Sequence, residues 1–70
     1  MQGKVVWIDP NNSESIKVQF DSERIATIES LGAEVELGDI LIGKLTNLGG
    51  ETLFNATQKE NIDVFIQDFD

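Results

Sequence analysis

The side chains of this 70-residue chain that could do acid–base or covalent chemistry are thirteen carboxylates, five bases and eight hydroxyls; Cys, His and Tyr are absent. A Ser or Thr hydroxyl becomes a nucleophile only beside a base. Without His, the usual base is missing for Ser13, Ser15, Ser22, Ser30, Thr27, Thr46, Thr52 and Thr57. Acid–base work by two carboxylates needs one of them in a desolvated cleft, and no spacing here marks such a pair. Gly49-Gly50 lacks the Lys and the Ser or Thr of a phosphate loop. Asp9, Asn11, Ser13 and Glu14 set oxygens at alternate positions, as a calcium loop does. Pro10 interrupts them, and Phe20 stands where the bidentate Glu would be. They are read as turn chemistry. No thiolate or imidazole is present for zinc. The expectation is a chain that is not an enzyme and uses no cofactor and no metal. A barrel of this length also leaves little room for a pocket of ~300 Å³ or more.

What remains is recognition. Trp7, Phe65 and Phe69 could form a stacking platform, with Lys4 reaching a phosphate; each base stacked on an aromatic is worth roughly 1–3 kcal/mol. The competing reading makes all three core residues, because aromatics bury the most area in a small domain. The charge favours the core. Thirteen acids stand against five bases, a formal net charge of -8, and Lys4, Lys17, Arg24, Lys44 and Lys59 are scattered rather than clustered. Nucleic-acid binders show a clustered basic footprint. The expected partner is therefore a protein with a basic surface, and nucleic acid is not expected.

No run approaches the ~20 apolar residues of a membrane span, and Val5 to Ile8 is too short for a signal-peptide core. Asn11-Asn12-Ser13 and Asn55-Ala56-Thr57 match the glycosylation sequon but read as turns. The expected setting is the cytoplasm, with the chain a monomer or a weak homodimer.

These side chains need elements to hold them. Ser15-Ile16-Lys17-Val18-Gln19-Phe20 alternates polar and apolar, the pattern of a strand with one wet face. Gly3 to Asp9 precedes it as a strand whose run Val5-Val6-Trp7-Ile8 implies at least partial cover on both faces, with Pro10 to Ser13 as the turn between them. Arg24 to Glu29 is assigned as strand because of its β-branched residues. The alternative is a helix over 22–31, with Ile25, Ile28 and Leu31 on one side and Gly32 beyond the end. Val35 to Asp39 turns into an apolar strand, Ile40 to Leu45, expected to be covered on both faces. Gly49-Gly50 is read as the strongest break, followed by a short strand from Glu51 to Ala56 and a turn from Thr57 to Asn61. Asn61 to Phe69 closes the chain, with Ile62, Val64 and Ile66 on one face. Residues 1–70 form one all-β domain, a small antiparallel barrel of five to six strands, since closure removes exposed edges. At this length the architecture is OB-like or, alternatively, SH3-like.

Gly3-Lys4-Val5-Val6-Trp7 resembles the first strand of cold-shock domains, which are OB-fold proteins. There a Gly-Lys-Val-x-Trp-Phe start carries an aromatic that stacks on bases. Asp63-Val64-Phe65-Ile66-Gln67 is similar to the family's Val-Phe-Val-His segment. The likeness covers about ten residues. Ile8 replaces the aromatic after Trp, the Lys-Gly-Phe-Gly-Phe motif is replaced by Ser15 to Phe20, and the Val-Phe-Ile segment comes last rather than in the middle. The resemblance implies a small barrel and, as the second functional reading, single-stranded nucleic-acid binding through Trp7, Phe65 and Lys4.

Overall fold

The alternation read from Ser15 to Phe20 forms the wall around which the barrel closes. In a computed structural model describing residues 1–70, Ile16, Val18 and Phe20 are fully buried, while Lys17 and Gln19 are half-exposed on the outer face. Six strands form: β1 (Gln2–Asp9), β2 (Asn12–Phe20), β3 (Arg24–Ser30), β4 (Ile40–Ile42), β5 (Gly49–Asn55) and β6 (Glu60–Phe69). They close into a barrel in the order β1-β2-β3-β6-β5-β4, and every neighbouring pair is antiparallel. Residues 24–30 are strand rather than helix. No helix is long and apolar enough to cross a membrane.

The strand order makes the chain two three-stranded meanders joined by a crossover, residues 31–39. β3 and β4 lie on opposite sides of the ring, so this segment runs over one mouth of the barrel. It plugs that mouth with Val35, and the Ser30 hydroxyl donates to the Ala33 carbonyl at 2.7 Å to hold its start. The connection between β4 and β5 plugs the other mouth with Leu45. Thirteen buried apolar residues fill the space between them. Each fully buried Val, Leu, Ile or Phe contributes roughly 1.5–3 kcal/mol, so these plugs matter as much as strand residues do. Gly3 is needed for packing: a Cβ there would lie 2.5 Å from Val18 Cγ1 and 2.9 Å from Leu45 Cδ1.

Two expectations fail for local reasons, and a third is met in an unforeseen way. The run Val5 to Ile8 is partly covered on both faces, as expected, with Val6 and Trp7 each 40% exposed, but its facing does not alternate. The β1–β2 register shifts between Val5 and Trp7, and this bulge turns both Val6 and Trp7 outward. The strand expected over Ile40 to Leu45 stops at Ile42, and only Leu41 of its three residues is fully buried. The chain turns at Gly43, whose amide donates to the Met1 carbonyl at 2.9 Å, and Leu45 reaches the core from a turn. Gly49-Gly50 is not a break but the start of β5, paired with Ile66 and Phe65.

Candidate functional site

Two outer walls carry the exposed aromatics. On the first, Trp7 (40% exposed) faces Lys17 across β1 and β2, with the ammonium 5.8 Å from the ring centroid. Lys17 Nζ also donates to Thr27 Oγ1 of β3 at 3.1 Å. Lys4 lies on the same strand, exposed, between Gln19 and Ile40. Trp7 is therefore not a core residue.

On the second wall, Phe65 of β6 is 45% exposed. Its neighbour across β3 is Glu29, and its neighbour across β5 is Gly50, which offers no side chain. Two residues back along β6, Asp63 lies between Leu31, whose amide donates to the Asp63 carbonyl at 2.9 Å, and Thr52, whose hydroxyl donates to Asp63 Oδ1 at 3.0 Å. A surface groove of about 550 Å³ runs here, lined by Leu31, Gly50, Glu51, Thr52, Asp63 and Val64. The surface thus holds larger concavities than a short barrel was expected to allow. They are open grooves, while the interior is filled with side chains. Phe65 is exposed as well, so of the three aromatics assigned to the core only Phe69 packs against it, half-buried with Arg24 6.0 Å from its ring.

The platform of Trp7, Phe65 and Phe69 does not assemble. β1 and β6 are three places apart in a ring of six strands, so Trp7 and Phe65 face away from each other on opposite walls. Phe54 forms a third exposed aromatic position, paired with Ile42 and Asn61 and with no carboxylate partner in its register.

Charge is divided in the same way. β1 and β2 carry Lys4 and Lys17 beside Asp9 and Glu14, and so balance. β5 and β6 carry Glu51, Glu60, Asp63 and Asp68 and no Lys or Arg. The one ion pair in the molecule joins Arg24 to Asp21 at 3.7 Å, so twelve of the thirteen carboxylates have no cationic partner.

One acid is withdrawn from the surface. Asp39 is 3% exposed, at the end of the crossover. Its Oδ2 accepts from Asn55 Nδ2 at 2.8 Å, Gln58 Nε2 at 2.7 Å and the Glu36 amide at 3.1 Å. Burial alone would raise its pKa, but the bonds from Asn55, Glu36 and Gln58 stabilise the carboxylate more and hold it below its ordinary value. Asn55 is itself fully buried and accepts the amides of Thr57 and Gln58 at 3.1 Å. The cluster ties the crossover to the β5–β6 turn. No local pattern announces it, since residues 39, 55 and 58 meet only in the folded barrel. The oxygens at Asp9 and Asn12 also serve the backbone: Asp9 Oδ1 accepts from the Asn11 amide at 2.8 Å, and Asn12 Oδ1 accepts from the Glu14 amide at 3.2 Å.

Among known proteins, the chain matches no family model, no curated protein and no solved structure.

Proposed function

We propose that this chain is a non-enzymatic, OB-like binding module of the cytoplasm, acting as an adaptor that contacts a protein partner with a basic surface. The observation that carries the reading is the wall of β3, β6 and β5. It combines an exposed aromatic, Phe65, with Glu29, Asp63 and Asp68, and its acids lack internal counter-charges. Exposed aromatics serve as anchors at interfaces, and complementary charge steers the encounter and selects the partner. Asp39, the acid withdrawn from this surface, ties the crossover to the β5–β6 turn through Asn55 and Gln58.

The test is affinity capture from a cell lysate before and after nuclease treatment, with wild type and with a Phe65→Ser, Asp63→Ser double variant. Wild type is expected to retain basic proteins after nuclease treatment, and the double variant is expected to lose them. Capture that disappears with nuclease would overturn the reading.

A second reading has one observation in its favour: Trp7 is exposed, with Lys17 against its ring. It would make β1 and β2 a strip for single-stranded nucleic acid. Two lysines on a body of net charge -8 release few counterions. Single-stranded oligonucleotides at physiological salt are therefore expected to leave Trp7 emission unchanged. Saturable quenching at micromolar protein would promote the second reading.

A further inference from the structure

We infer that the slot between Phe65 and Gly50 receives an arginine side chain from an extended segment of the partner. This inference rests on the reading of the acidic wall as a protein-binding face. Three of the five aromatic rings already have a cation of this molecule against them: Lys17 at Trp7, and Arg24 at Phe20 (4.9 Å) and Phe69 (6.0 Å). Phe54 and Phe65 have none, and of these two only Phe65 has carboxylates around it, Glu29 across the strand and Asp63 two residues back on the same face. A side chain seated beside Phe65 would enter the space that Gly50 leaves, with Leu31 at the end of the groove. Arginine fits better than lysine on chemical grounds. Its stem covers apolar surface, its planar head stacks on an aromatic face, and its fork pairs with carboxylates in a fixed geometry.

Gly50 also provides a clean test. A Cβ built there meets nothing within 4 Å, and the residue is outside the left-handed region. Gly50→Val therefore fills the slot with a residue that suits an exposed strand. The experiment follows amide shifts of the ¹⁵N-labelled protein during titration with a short peptide of alternating arginine and valine, and with the same peptide carrying lysine for arginine. With wild type, the arginine peptide should shift Leu31, Gly50 and Phe65 and bind several-fold more tightly than the lysine peptide. Gly50→Val should keep its melting temperature and lose roughly tenfold in affinity. Unchanged affinity in Gly50→Val, or equal binding of the two peptides, would overturn the slot and leave the basic-partner reading standing. If neither peptide shifts any amide even at low salt, the basic-partner reading falls, and the slot falls with it.

Discussion

At the scale of single residues, the barrel separates acids that face water from one that does structural work. Asp39 accepts three hydrogen bonds while almost fully buried, and its pKa in the fold is lowered. A carboxyl with a folded pKa below its unfolded value of ~3.9 binds fewer protons in the native state. Its contribution is therefore complete above that value and is lost as pH falls through the folded pKa. Asp39→Asn should be clearly less stable than wild type at pH 7, and the gap should narrow toward pH 3, as measured by urea unfolding at both. The difference between the two proteins is the quantity to follow. Acid also relieves repulsion among the other carboxylates, and this acts on both proteins alike. A gap that stays constant with pH would mean that shape, not charge, makes Asp39 important.

At the scale of elements, the strand facing of β2 yields a paired prediction. Val18 is fully buried and Lys17 is half-exposed. Val18→Asp should unfold the domain, because an unpaired buried carboxylate costs several kcal/mol. Lys17→Glu loses one hydrogen bond to Thr27 and the contact with Trp7, a change of roughly 1–2 kcal/mol that leaves the domain folded. Circular dichroism of the two variants checks the register. The same logic explains what could be read beforehand. β2 and β6 were legible within a few residues because one wet face imprints a period of two on the chain, as in Ile62, Val64 and Ile66, whereas β3 was chosen over a helix only on its β-branched residues. β1 was legible in extent but not in facing, because the outward turn of Val6 and Trp7 comes from a register shift against β2, and β4 was read too long, because the chain bends at Gly43. The candidate surface was half legible: Phe65 was singled out from the sequence, but its separation from Trp7 follows from strand order, and its partnership with Gly50 from pairing across β5 and β6.

At the scale of the whole molecule, a net charge of -8 sits on a body 25 × 23 × 22 Å across. That size is only two to three times the Debye length of ~8–10 Å near physiological salt, so unpaired carboxylates on different strands repel one another and salt weakens the repulsion. The melting temperature should rise as NaCl goes from low to moderate concentration; a flat or falling trend in calorimetry would show that favourable charge pairs dominate. The crossover has another consequence. Its nine residues, 31–39, reach about 30 Å when fully extended, and they are the sole covalent tie between β1–β3 and β4–β6. Each half presents two strand borders that the other half completes, and the matching half of a second copy offers the same borders. Deleting Gly32 and Glu34, both exposed, shortens the reach to about 23 Å and removes the slack with which the segment turns inward to bury Val35. Light scattering of this variant should show a dimer built by exchange of halves, with a native circular dichroism spectrum. A folded monomer would mean that the tether has slack to spare. In the exchanged dimer, the segment that seals the barrel in one molecule is the hinge along which two molecules trade halves.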